Sequence, residues 1–247
     1  MPGPLVATHL AAGTAAVPAV VDGAGDGSVI VGLAEETPET PMVEHLGSVD
    51  LLLLLAADGI RPVDLAALST IPVERPLDPL TPIAVVEGSF PTSGAVLADV
   101  TAAHQWRTDG LVLTSALQLG LALAAVDLAT AYAMEREQFG RPIGSFQAVK
   151  HLLADMLVKA EVARAAVYAA ACAVDGASTD DEVHAASVAK VLAGDAALFC
   201  GKTGIQVHGG MGFTWEVDAQ RYWKRASVLD THFGNSDEHA VAVAASL

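Results

Sequence analysis

From Thr101 onward apolar residues recur at spacings of three and four, through long stretches free of proline and nearly free of glycine, and this tract constrains the fold more than any other feature. Such a period calls for helices that bury one face against each other. It predicts three long helices, over 102–135, 146–174 and 180–207, with Ser145 as N-cap of the second and Thr179 with Glu182 as capping box of the third. On the second, Phe146, Val149, Leu153, Met156, Ala160, Ala163 and Val167 fall on one stripe, while Lys150, Asp155, Lys159 and Arg164 lie largely elsewhere. A short last helix begins at Asn235 or Ser236, and the economical arrangement is an up-and-down four-helix bundle.

Ahead of residue 100 the pattern is different. Apolar runs of strand length at 28–34, 49–56 and 83–87 are separated by clusters of Pro, Gly and Asp. They predict a small, mostly antiparallel sheet, and the leucine run at 51–55, bounded by Asp50 and Asp58, reads as a buried strand. The fold class is therefore α+β and mostly α, with a reduced β-rich domain over 1–100 and a helical bundle over 101–247.

With 52% hydrophobic and 17% charged residues, the chain is neither disordered nor a disulfide-stapled miniprotein. A net charge of −16 repels nucleic acid and anionic membranes, so an anionic ligand must be held locally. Cys172 and Cys200 match neither a disulfide framework nor a zinc pattern, and read as buried small hydrophobes in a reducing compartment. No Lys or Arg precedes Arg61, and no apolar run is expected to reach the roughly 18 residues of a membrane span. The expectation is a soluble cytoplasmic protein.

Two segments carry chemistry. At 136–144, between the first two helices, Arg136 and Arg141 meet Gly140 and Gly144. Such a turn can grip a pyrophosphate with bidentate guanidinium and backbone amides, or it can be a plain helix C-terminus with dipole-complementing arginine and a glycine stop. At 206–216 a glycine-rich helix exit carries Phe213 and Trp215, and fits either close backbone approach to a ligand or a tight turn covered by the aromatics. His208 has no second His or carboxylate at ligand spacing, so no metal site is expected and it reads as a hydrogen-bonded turn residue.

Taken together, Tyr132, Arg136, Phe139-Gly140, Pro142-Ile143 and Phe146-Gln147, followed by the Gln-x-x-Gly-Gly-x-Gly-Phe segment at 206–213, resemble the C-terminal helical domain of the acyl-CoA dehydrogenase family. The resemblance runs from about residue 101 to the end. It implies FAD as cofactor, gripped through its pyrophosphate and adenosine half by Arg136, Gln138, Phe139, Gln206, Gly209 and Gly210, with Asn235 also on the cofactor side. In the family the flavin ring lies in a neighbouring subunit, so the chain is expected to work only as an oligomer.

The implied reaction is α,β-dehydrogenation of an acyl-CoA thioester. In the loop after an Arg-aromatic helix, where relatives place a Glu base, Asp230 falls at the base position, one methylene shorter. Some relatives carry the base on the first long helix, where Gly110 stands here and Asp109 is the reserve. The substrate-site Arg of many relatives is matched by Leu111, with Arg107 one turn earlier as a substitute. Residues 31–35 correspond loosely to the strand where relatives read Leu-Thr-Glu, and by the resemblance the family's N-terminal helical domain is expected to be absent. The resemblance thus implies a reduced subunit in a heteromer, such as a heterotetramer, with a full-length acyl-CoA dehydrogenase subunit or a second copy completing the site. The bulky acyl-CoA esters of bacterial steroid side-chain degradation are the substrates it suggests. A non-catalytic scaffold and a nitroalkane-oxidase-like flavoenzyme are the alternatives.

Overall fold

The computed structural model describes residues 23–36, 41–92, 94–176 and 179–246. The chain divides into two compact units, 1–110 and 111–247, and the division falls inside a long helix that starts at Val100.

Among its described residues the first unit holds two three-stranded sheets. One has the order β1-β3-β4, from β1 (Val31–Glu35), β3 (Leu51–Ala56) and β4 (Gly59–Pro62). The other has the order β2-β6-β5, from β2 (Met42–Glu44), β6 (Ile83–Val86) and β5 (Thr70–Pro72). β1 runs parallel to β3 with Val31 opposite Leu51, and every other pairing in these sheets is antiparallel. The expected single sheet is thus two. The leucine run is the buried strand anticipated, and the reason it is continuous rather than alternating is that both its faces are covered. Leu52 and Leu54 join Ala34, Val43, Val63 and Val86 in one apolar cluster, while Leu53 and Leu55, on the opposite face, are equally buried.

Among the described residues five helices follow: α1 (Val100–Glu135), α2 (Gln147–Asp175), α3 (Thr179–His208), α4 (Ala219–Asp230) and α5 (Ser236–Ala245). α4 is additional to the four expected. The stripe predicted on α2 is the one it buries, through Met156, Ala160, Ala163 and Val167, extended to Ala170. It packs on α3, whose buried residues include Ala186, Ala189, Ala193, Ala196 and Ala197. α3 also carries α4 and α5. At Gly201 a side chain would start only 2.8 Å from the Trp223 Cα, so glycine permits that close crossing of α3 and α4.

Several local expectations change. Ser145 does not cap α2: Phe146 stands at the N-cap, and the Ser145 hydroxyl donates to the Pro142 carbonyl at 2.7 Å, closing a short 3-10 turn instead. The capping box assigned to Thr179 lies outside the residues whose side chains are described. Cys200 is buried but Cys172 is exposed, because it sits off the stripe that Val167 and Ala170 define. Two helices, Val100–Glu135 and Glu182–Phe213, are long and apolar enough by composition to cross a membrane, contrary to the expectation from run length. Scattered single polar residues interrupt the runs without making the windows polar, and half of each window is buried inside the protein.

Candidate functional site

α1 ends one residue before Arg136, whose amide donates to the Tyr132 carbonyl at 2.8 Å. A minimal hairpin follows, β7 (Glu137–Gln138) against β8 (Arg141–Pro142). Its two-residue loop is Phe139-Gly140 with φ of 55° and 76°, positive at both positions as a type I′ turn requires. Left-handed backbone is unfavourable for phenylalanine, yet its ring stands 93% exposed at the tip of the loop. The Phe139 ring meets Phe146 edge-on at 6.0 Å, and the Arg141 guanidinium lies 4.1 Å above the Phe146 ring. Arg141 is thus occupied by an aromatic face. Arg136 is exposed, and among the described residues no carboxylate pairs with it.

The second segment is the exit of α3. His208, its last residue, is buried and donates from Nδ1 to the Gly204 carbonyl at 2.7 Å, the hydrogen-bonded role its sequence context suggested. Gly209 then turns left-handed with φ of 61°. A side chain at Gly209 or Gly210 would meet nothing within 4 Å, so these glycines are not demanded by packing inside the subunit. Phe213 and Trp215 do not cover the turn; both are exposed, with the Lys224 ammonium 4.9 Å above the Trp215 ring.

The fold brings these two segments together. The Tyr132 and His208 rings stack with centroids 4.2 Å apart and planes 25° from parallel. Arg136, Gln138 and Phe139 from one helix end and Gln206, Gly209 and Gly210 from the other are all exposed. A planar cation, two side-chain amides, glycines that leave the backbone uncovered and an aromatic edge on adjoining helix ends suit a pyrophosphate-bearing group such as FAD.

Asp230 is the last residue of α4 rather than part of a loop. Its Oδ1 accepts from the Ser236 hydroxyl at 2.5 Å, and that pair lies against the bare backbone of Gly194, where a side chain would start 2.2 Å from the Ser236 Oγ and 2.8 Å from the Asp230 Oδ1. The turn after it is tightly held. Lys190, fully buried, donates to the Leu229 carbonyl at 2.8 Å, and His239 donates from Nε2 to the carbonyl of Phe233, whose φ is 55°. His232 is fully buried too, and burial, with Arg225 and Lys190 adding positive charge, holds its pKa well below the ordinary 6.5. Asn235 is committed to structure: it forms a reciprocal capping box with Glu238 at the start of α5, its Oδ1 accepting from the Glu238 amide at 2.9 Å. Only its side-chain NH2 is left for a ligand.

In the first unit Arg107 donates to the Glu35 carboxylate at 3.2 Å and to the Leu55 carbonyl at 3.1 Å, fastening the start of α1 to the ends of β1 and β3. Asp109 accepts from the Gln105 amide at 2.9 Å. Sequence reasoning did not single out Lys190, although the helical period that buries Ala186, Ala193 and Ala197 places it on the same face. It also passed over Gln118, fully buried with neither amide atom bonded among the described residues.

The profile described as "Acyl-CoA dehydrogenase, C-terminal domain" matches residues 110–247, more than half of the chain. The chain belongs to the acyl-CoA dehydrogenase family. This family member is 35% identical to acyl-CoA dehydrogenase FadE34 of Mycobacterium tuberculosis over 254 residues, covering 96% of the chain but only 35% of that relative. It spans about a third of the length of that curated relative. Among solved structures it is similar to a variant of the Tcur3481-Tcur3483 steroid ACAD, with a TM-score of 0.80 and 26% identity over 98% of this chain and 74% of that one. The ChsE4-ChsE5 complex from Mycobacterium tuberculosis shares the fold, with a TM-score of 0.78 and 21% identity over 98% and 73%.

Proposed function

We propose that this chain is a subunit of an FAD-dependent acyl-CoA dehydrogenase, catalysing α,β-dehydrogenation of a bulky, steroid-derived acyl-CoA in a cytoplasmic heteromer with a full-length dehydrogenase subunit. The observation that carries the reading is the pair of exposed helix ends stacked through Tyr132 and His208. A surface with an arginine that no carboxylate pairs among the described residues, and with glycines whose Cβ positions are open, is suited to a cofactor shared with another chain. The steroid ACAD and the ChsE4-ChsE5 complex among its structural relatives support the substrate class and the paired assembly.

When bound, the flavin accepts the hydride that leaves the β-carbon. In this reading the chain supplies the grip. Arg136 would fork onto the pyrophosphate, Gln138 and Gln206 would add side-chain amides, Gly209 and Gly210 would let the group approach the backbone, and Phe139 would offer it an aromatic surface. Asp230 is the base assigned to this chain, holding the α-proton on the oxygen that Ser236 leaves free. Arg107 is left out of the substrate site, because its Nε and one terminal nitrogen already hold Glu35 and Leu55.

The test is the visible absorption spectrum of the chain purified alone and co-purified with a full-length acyl-CoA dehydrogenase subunit. A flavin band that grows in the complex, falls with Arg136→Ala and bleaches with an acyl-CoA ester is the expected result. A complex whose flavin content is indifferent to Arg136→Ala overturns the clamp and leaves a scaffold role.

A further inference from the structure

We propose that the Tyr132–His208 stack is a positioning device that sets the two halves of the clamp to a single ligand, an inference that rests on the flavin-sharing reading above. The two halves come from helix ends far apart in sequence. Among the described residues no hydrogen bond or ion pair joins 136–146 to 206–216. The ring stack spans the gap between the ends of α1 and α3, with centroids 4.2 Å apart.

Each ring is coupled directly to its own half. Arg136 follows Tyr132 by one helical turn and donates its amide to the Tyr132 carbonyl at 2.8 Å, so a displacement of Tyr132 carries the guanidinium with it. His208 immediately precedes Gly209, and its ring is pinned from the other side by the 2.7 Å bond from Nδ1 to Gly204. That bond fixes the tautomer and the plane the ring offers to Tyr132. Terminal turns of helices fray, and a ligand gripped from two such ends is held only as well as the ends are held to each other. Neither ring has to touch the flavin for this role.

The experiment measures FAD dissociation from the purified complex, by recovery of flavin fluorescence on dilution, for Tyr132→Ala, Tyr132→Leu, Tyr132→Phe, His208→Ala and the Tyr132→Ala/His208→Ala double variant, with Arg136→Ala as reference. Losing the stack should weaken FAD binding by about three- to tenfold in Tyr132→Ala and His208→Ala, the range expected of one aromatic pair. Tyr132→Phe, which keeps the ring, should restore wild-type affinity, and the double variant should be no worse than the weaker single. Tyr132→Leu keeps apolar volume without a ring and should behave as alanine does, which separates stacking from simple packing even if the alanine variant folds poorly. Wild-type affinity in Tyr132→Leu, or strictly additive losses in the double variant, overturns the positioning role while a loss in Arg136→Ala leaves the clamp standing. If Arg136→Ala also binds FAD normally, the shared-flavin reading fails with it.

Discussion

Gly201 and Gly204 lie one turn apart on α3, both buried, and the structure gives them opposite fates on substitution by alanine. In a helix interior the exchange removes the conformational freedom of glycine and by itself stabilises by about 1 kcal/mol at either position. At Gly204 the new methyl would find the Ala125 carbonyl at 3.9 Å and the Met156 methyl at 4.0 Å, ordinary contact that lets the gain stand. At Gly201 it would start 2.8 Å from the Trp223 Cα and 3.0 Å from the Trp223 amide nitrogen, atoms that no rotamer change can move. The helices must part, and overpacking of that kind costs about 1–3 kcal/mol. The propensity gain is common to both variants and cancels in their difference, so Gly204→Ala should exceed Gly201→Ala in stability by about 1–3 kcal/mol. For a chain of this size that is roughly 2–4 °C in melting temperature per kcal/mol. Thermal and urea unfolding followed by far-ultraviolet circular dichroism at fixed protein concentration measure it. Coincident melting curves, or Gly201→Ala the more stable, would refute the close crossing of α3 on α4.

Three further outcomes follow from the buried and polar groups. Because burial depresses the pKa of His232 below 6.5, the unfolded chain binds a proton below that pH that the folded chain refuses, so folding stability should fall as pH drops from about 7 to 5, by up to about 1.4 kcal/mol per unit; His232→Asn should flatten this limb in urea titrations, and an unchanged slope would contradict the neutral buried ring. Burial raises the Cys200 thiol to about 12 while Cys172 is exposed, so a maleimide at neutral pH should label one cysteine in the native chain and two in denaturant, and native labelling of both would show Cys200 to be accessible. Asp230→Asn keeps an acceptor for Ser236 but cannot take a proton, so acyl-CoA dehydrogenation by the complex should drop by about 10²–10⁴-fold, and full activity would move the base to the partner subunit.

The helical tract was legible because its period is strong: Met156, Ala160, Ala163 and Val167 could be placed on one face without any tertiary information. α4 was not read from the period and entered only as the Arg-aromatic helix of the resemblance, although its 12 residues set a buried face of Ala219, Ala226, Val228 and Leu229 against Arg221, Lys224 and Arg225; it is short beside the long apolar runs of the other three helices. The strands at Gly59–Pro62 and Thr70–Pro72 are short and end in proline, below the length at which alternation can be read. Both halves of the clamp were readable as local motifs. Their union through Tyr132 and His208 was not, because stacking across two helix ends is a property of packing that no spacing in the sequence encodes.

α2 and α3 meet along a seam, and what the two helices bury is mainly alanine: Ala160, Ala163 and Ala170 on one, and Ala186, Ala189, Ala193, Ala196 and Ala197 on the other. Most protein interiors are vulnerable to holes, since a trimmed leucine or phenylalanine leaves a void behind. Alanine has almost nothing left to trim. Nearly every substitution available to this seam adds atoms to a space already closed, so its mutational risk runs toward crowding, and the helices it joins have little slack with which to absorb it. In a family member built this way the spacing of α2 and α3 is fixed by the smallest side chain that still favours a helix.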